Sequence, residues 1–344
     1  MKQKKALLIN EGFSDNIGDQ AISNGVKLLL ESKNFSVKTA GFSTNNQCHF
    51  NLKKSSNNKL VTMLRTKILL KSIYWLFKNI IRILKCSSQK YNVAVIGGGQ
   101  LIMKESNFAI AMFTWVVTLK IFNKKVCLFS VGVGENFNPF EKFLFLIAIK
   151  LADEILVREK SSVPRVLQQF GVHATYVPDA AYALSKGYTV KKDVILILIT
   201  DYQVYVRGAL ELSGFIMTRS KYWDYWIDMI KREAQQDQIH FFWNTKEDEI
   251  ETMKFLKYAK NEFSFIIYSN ELSLEGVVGI FNRSKKVLSG RMHGLILGHI
   301  FGAECIPYYI SNKVKRYVDE YLNVSPSLIQ AELELLSGQV FEKY

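Results

Sequence analysis

Residues 289–294 read Ser-Gly-Arg-Met-His-Gly, setting a guanidinium and an imidazole two positions apart. Arg291 can grip a carboxylate or phosphate through two parallel N–H bonds, and His293 can carry a proton near neutral pH. A short β-run over 286–288 stops at Ser289-Gly290, and an apolar helix starts near Met292, so both side chains are expected at a strand-to-helix corner. Unpaired N–H groups at a helix N-terminus attract negative charge, and ligands collect at such corners in open α/β sheets. An arginine in a surface salt bridge and a histidine satisfied in the core would explain the same residues without a ligand. His299 lies about 240° round the helix from His293 and is expected to pack elsewhere.

Other chemistry falls at other predicted strand ends. Asp15-Asn16-Ile17-Gly18-Asp19-Gln20 follows the first strand and opens the first helix. It is not G-x-G-x-x-G, so a dinucleotide reading fails, and capping by Asp15, Asn16 or Asp19 is the alternative to ligand contact. Gly97-Gly98-Gly99-Gln100 ends the apolar run 92–96 and bares N–H groups to a ligand or to another backbone. Ser130-Val131-Gly132-Val133-Gly134-Glu135 repeats the theme after the next strand. Arg158, Glu159 and Ser161 follow a further strand, and Pro178-Asp179 another. A parallel sheet would open all these ends on one edge.

The elements that must hold them alternate. Strands are expected at 6–9, 36–40, 93–96, 126–131, 155–157 and 175–177, with helices at 21–32, 67–85, 108–122, 139–152 and 161–170. Several of the strands are continuously apolar, as strands buried on both faces are. Gly187 and the polar stretch 189–193 read as a linker. Beyond it, strands at 194–199, 240–243, 265–268, 286–288 and 305–309 alternate with helices at 222–236, 247–260, 273–282 and 292–301. The class is α/β, with two Rossmann-like doubly wound domains at 1–187 and 188–311. A helical region, 312–344, is expected to pack back on the first.

A chain of 344 residues with 48% hydrophobic and 13% aromatic content can fill two cores. Four cysteines, Cys48, Cys86, Cys127 and Cys305, show no zinc or C-x-x-C spacing, and Cys127 and Cys305 fall in expected buried strands, which points to a reducing compartment. With no signal-peptide pattern and no uncharged run of membrane-spanning length, a cytoplasmic location is expected, peripheral on the inner membrane face at most. Thirteen of the 45 basic residues lie in 32–104, which has no acid, so the remaining 32 nearly balance the 31 acids. Within that segment Lys67, Lys71, Lys78, Arg82 and Lys85 fall within about 60° of one another on the expected helix, the rest of which is mostly apolar. Such a helix either lies on an anionic membrane surface or covers a sheet with a solvated lysine face. No nucleic-acid module is present, so no nucleic-acid partner is expected.

Taken in order, Asn16-Ile17-Gly18-Asp19, Gly97-Gly98-Gly99, Val157-Arg158-Glu159-Lys160-Ser161, Pro178-Asp179 and Ser289-Gly290-Arg291-Met292-His293-Gly294 resemble the motif set of the polysaccharide pyruvyltransferase family. The resemblance implies a GT-B-like arrangement of the two domains and phosphoenolpyruvate as donor substrate, with no certain cofactor and no metal. It implies transfer of pyruvate to a sugar of a surface or extracellular polysaccharide precursor, commonly as a ketal across two hydroxyls. His293 and Arg291 become the catalytic candidates and Arg158 a donor-binding one. Asn16, Gly18, Asp19, Gly97, Gly98, Gly99, Gln100, Gly132, Ser161, Asp179, Ser289, Gly290, Met292 and Lys313 complete the substrate-contact set. The saccharide acceptor, which a lipid carrier could bear, is expected on the first domain beside the basic helix. Glu159 stands where Asp is commoner in the family, and Ala303-Glu304-Cys305-Ile306-Pro307 replaces the usual Gly-Val-Pro. A GT-B nucleotide-sugar glycosyltransferase and a non-catalytic polysaccharide-assembly protein are the alternatives.

Overall fold

The structure, a computed structural model, describes residues 3–43, 68–104, 107–184, 193–234, 238–260, 262–267 and 274–344, with the side chains of 68–70 left out. The expected linker at 187 and 189–192 lies outside them, as do Cys48, His49, Lys67, Tyr268 and Ser273. The chain forms two compact units: Met1–Ser14, Asp19–Ala183 and Ala331–Tyr344 make the first, and Asp15–Gly18 with Leu184–Gln330 make the second.

Among the described residues the first unit holds six parallel strands, β1 (Lys4–Asn10), β2 (Phe35–Gly41), β3 (Val93–Ile102), β4 (Val126–Val133), β5 (Glu154–Val157) and β6 (Thr175–Tyr176), in the order β2-β1-β3-β4-β5-β6. Helices α1 (Ile17–Ser32), α2 (Ile68–Ser87), α3 (Phe108–Ile121), α4 (Pro139–Leu151) and α5 (Ser162–Phe170) connect them. All eight residues of β4 are buried, which is why its sequence is apolar without alternation. Leu7, Ile9, Ile96, Leu128, Trp115 and Phe145 belong to one core on a face of this sheet. The chain returns at Ala331, and Phe341 packs its ring 4.9 Å from that of Phe129.

Among the described residues of the second unit five parallel strands, β7 (Val194–Leu198), β8 (Gln238–Phe241), β9 (Phe265–Ile267), β10 (Ser284–Ser289) and β11 (Glu304–Pro307), run β11-β10-β7-β8-β9. Helices α6 (Tyr202–Leu212), α7 (Arg219–Ala234), α8 (Lys246–Tyr258), α9 (Leu274–Arg283), α10 (Met292–Ile300) and α11 (Asn312–Tyr317) alternate with them, and a π-helical turn (Val318–Leu322) leads to α12 (Pro326–Phe341). Strand order reverses between β1 and β3 in the first sheet and between β7 and β10 in the second. A crevice opens at the carboxyl ends of the strands flanking such a reversal.

Four local expectations change. The glycine triplet does not end its strand, because β3 continues to Ile102 through Gly98 and Gly99 at φ +77° and +95°, with a register shift against β4. Helix α1 starts at Ile17, not 21, which puts Gly18 and Asp19 in its first turn. Helix α6 was not expected, as Val204, Val206 and Gly208 weaken its helical signal. Strand β11 is half-exposed, so Cys305 is only partly buried, whereas Cys127 is fully buried.

Candidate functional site

In the second unit β10 delivers Ser289, Gly290 and Arg291 beside the end of β7. Buried Ser289 fixes the corner, its Oγ accepting the Arg291 N–H at 2.9 Å and donating to the Arg291 carbonyl at 3.1 Å. Gly290 leaves room for its neighbour, since a Cβ there would lie 2.8 Å from Thr200 Oγ1. Gly294 does the same, its Cβ position being 2.5 Å from Ser289 Oγ. Arg291 is the extended N-cap residue of α10, and its own side chain makes no capping hydrogen bond. The first turn of α10, with Met292, His293 and Gly294, carries the positive end of the helix dipole, which favours an anion.

Arg291 is held by a partner the sequence did not disclose. Its Nε and Nη2 donate to the Asp248 carboxylate, with contacts of 2.9 Å to Oδ2 and 2.6 Å to Oδ1. The fork expected to grip a ligand is thus engaged by protein along one edge, and Nη1 takes no part in that pair. Asp248 is fully buried in the first turn of α8, where it also accepts the Asp201 N–H at 2.8 Å. Burial pushes its carboxyl above the ordinary value, and pairing with Arg291 only partly reverses that. Burial works against the Arg291 charge too, but Asp248, together with Tyr222 and Asp201, outweighs it and holds the guanidinium above its usual range. Asp201 follows β7 and caps α6, accepting from Gln203 and Val204 at 3.0 and 3.2 Å. Behind this loop Tyr222 donates to the Thr200 carbonyl at 2.7 Å and stacks with Tyr205 and Tyr308 at ring-centroid distances of 4.7 and 5.7 Å.

His293 is 8% exposed and lies against Gly18, where a Cβ would overlap the imidazole. The Asn16 side chain accepts the Gly18 N–H at 2.9 Å, and Ile17 N–H donates to the Asn244 carbonyl at 3.1 Å. The structure therefore brings Asn16 and Gly18 together with His293. Met292 is buried beside it in the same helix turn, and Lys313 is half-buried in the first turn of α11. His299 does pack elsewhere, with Nδ1 3.4 Å from the Tyr317 hydroxyl.

The first unit gathers the rest at three places. Arg158 is 2% exposed and pairs with Asp179 at 3.0 Å and with Glu159 at 3.6 Å. Gly132 makes space for it, its Cβ position being 3.0 Å from Nη2. Ser130, at φ +52°, donates to the Pro178 carbonyl and accepts the Ala180 N–H, so Arg158, Gly132 and Asp179 form one buried assembly. Ser161 instead lines a neighbouring cavity of about 510 Å³ with Glu135, Lys142, Arg165 and Gln168.

At the strand-order reversal of the first sheet, Gly99 faces Asp19, 3.5 Å from its Cβ position to Oδ1. Ser14 donates to Asp19 at 3.1 Å. Gly97 and Gly98 are shaped by packing: a Cβ on the former would overlap the Phe129 carbonyl, and on the latter Ile22 of α1. Half-buried Gln100 follows them in β3. Glu11 follows β1 and was not singled out by sequence. Burial raises its carboxyl above the ordinary value, although the Ser43 N–H donates to it at 2.8 Å. Among the described residues no cluster of three or more His, Cys, Asp or Glu is arranged to hold a metal ion.

Over residues 16–312 the sequence matches the family described as polysaccharide pyruvyl transferase. The chain belongs to that family. Membership places it among transferases of polysaccharide biosynthesis, with a saccharide as acceptor. No curated protein gives a match. The UDP-GlcNAc 2-epimerase from Methanocaldococcus jannaschii shares the fold at a TM-score of 0.57 and 12% identity, covering 99% of this chain and 93% of its own. A putative UDP-N-acetylglucosamine 2-epimerase from Listeria monocytogenes does so at 0.53 and 11% identity, covering 99% and 98%. These likenesses establish a GT-B-type fold of two parallel-sheet α/β domains.

Proposed function

We propose that this pyruvyl transferase family member takes pyruvate from phosphoenolpyruvate and closes it as a ketal across two hydroxyls of a saccharide precursor. The observation that carries the reading is the strand-to-helix corner at the N-terminus of α10, flanked by Arg291 and carrying His293 in its first turn. Phosphoenolpyruvate brings a phosphate and a carboxylate. The helix N–H groups and the remaining Arg291 edge provide for one of them. Asp248 keeps the guanidinium oriented and charged before the donor arrives, so little reorganisation is needed during reaction.

Protonation of the donor's methylene carbon makes C2 electrophilic. A sugar hydroxyl adds there, the C2–O bond to phosphate breaks, and the second hydroxyl adds to close the ring. Each hydroxyl gives up a proton, one proton is gained at carbon, and inorganic phosphate leaves. His293 is the residue assigned to these transfers, held against Gly18 so that its ring does not swing away. Arg158, buried on Asp179, acts as a positioning residue for the loops after β4 and β5.

Thermal protection tests the donor. Phosphoenolpyruvate should raise the unfolding temperature, and a sugar nucleotide should not. The reverse result would turn the reading toward a nucleotide-sugar glycosyltransferase.

A further inference from the structure

Helix α2 divides into three arcs when its positions are set about 100° apart. Ser72, Trp75, Asn79, Ile83 and Ser87 are buried, and Trp75 and Ile83 join the core of the first unit. Ile73, Tyr74, Phe77, Ile81 and Leu84 are instead 42%, 59%, 77%, 76% and 42% exposed and span about 100° of the helix. Lys85, Lys78 and Lys71 follow directly beside them within about 40°. Arg82, expected on that basic face, turns inward: it donates to the Gly41 carbonyl at 2.5 Å and to Asn79 at 3.0 Å, with its guanidinium 5.4 Å from the Trp115 ring centroid.

A sheet-covering helix with a solvated lysine face would bury its apolar residues, and this one leaves five large ones in solvent beside its lysines. We propose that α2 docks the protein on an anionic phospholipid bilayer. Ile73, Tyr74, Phe77, Ile81 and Leu84 enter the boundary between headgroups and acyl chains, while Lys71, Lys78 and Lys85 reach the phosphates. Charge complementarity favours this occupant, because 32–104 carries thirteen basic residues and no acid to repel a negative surface. The helix lies in the surface rather than through it, since no helix among the described residues is long and apolar enough to span a membrane. The inference does not rest on the donor: a saccharide acceptor of any linkage could be met at such a surface.

Flotation of the full chain with vesicles tests it, comparing phosphatidylcholine alone with a phosphatidylcholine–phosphatidylglycerol mixture at low and high salt. Binding to the anionic vesicles should be at least roughly tenfold stronger and should weaken with salt. Phe77→Ser with Ile81→Ser alters only exposed positions, so it should keep the unfolding midpoint while lowering binding at least about tenfold. Lys78→Gln with Lys85→Gln should lower it to a similar degree, and Arg at both positions should restore it. Equal or absent binding to the two vesicle types would overturn the proposal. So would an apolar variant that floats as well as the parent, or one whose only change in sedimentation is the loss of a dimer.

Discussion

Gly18 and His293 occupy one another's space: a Cβ on Gly18 would overlap Nδ1 and Cγ of the imidazole and come within 2.8 Å of the histidine Cβ. Two segments from opposite ends of the chain are thus fitted by the absence of a side chain. Gly18→Ala should displace the ring and lower turnover by roughly 10²-fold, in the range of losing a positioned acid or base. Circular dichroism should still show a folded protein. Normal turnover in Gly18→Ala would mean that the ring's position does not matter to the reaction.

Asp248→Asn should expose what the buried carboxylate does for Arg291. It removes the counter-charge from a guanidinium whose side chain is only 24% exposed. Urea unfolding should record a loss of about 3 kcal/mol, the low end for a broken buried pair because part of Arg291 remains in solvent. Arg291→Lys keeps the charge but cannot span both carboxylate oxygens, so it should weaken phosphoenolpyruvate binding by at least roughly tenfold in calorimetry. Unchanged donor affinity would confine Arg291 to a structural role.

The asymmetry between these residues explains what could be read from the chain alone. Arg291 and His293 stand out because a strand, two small residues and an apolar helix follow one another in a local pattern. Asp248 does not, because Glu247-Asp248-Glu249 looks like the solvated acidic first turn of any helix, and only burial distinguishes the middle residue. Arg158 and Asp179 were each visible at strand ends, but their pairing depends on β5 and β6 being neighbours. The strand-and-helix alternation was legible throughout because buried parallel strands are apolar runs. The glycine triplet misled in one respect: a strand can carry positive φ at Gly98 and Gly99 through a register shift and continue to Ile102.

Gly98→Ala separates backbone conformation from space. A Cβ there would overlap Ile22 of α1, and the residue sits at φ +77°. Thermal unfolding should show a cost of roughly 2–4 kcal/mol, combining backbone strain with overpacking. Gly171→Ala is the control, with φ +65° and nothing within 4 Å of its Cβ position, and should cost about 1 kcal/mol. Equal costs at both sites would remove the packing contact with α1 from the explanation of the triplet.

Burial lowers the pKa of His299 below the ordinary histidine value, and a contact with the Val324 backbone only partly restores it. The unfolded chain therefore takes up this proton first as pH falls. The stability this histidine allows is fully present above its unfolded pKa of about 6.5 and is lost progressively below it. His299→Gln should flatten the fall in urea midpoint over that range, by up to about 1.4 kcal/mol per pH unit. Parallel slopes for the parent and variant would show that His299 does not carry the dependence.

The transfer itself can be followed on its product. Saccharides extracted from cells lacking the protein would be incubated with it and carbon-labelled phosphoenolpyruvate, then examined by mass spectrometry alongside a phosphate assay. The expected result is a saccharide that gains the mass of the labelled donor less phosphoric acid, with one phosphate released per group transferred. His293→Asn should form it roughly 10²-fold more slowly while unfolding at the parent's temperature. A saccharide that gains no label, or a His293→Asn protein that transfers it at the parent's rate, would contradict pyruvyl transfer through this site.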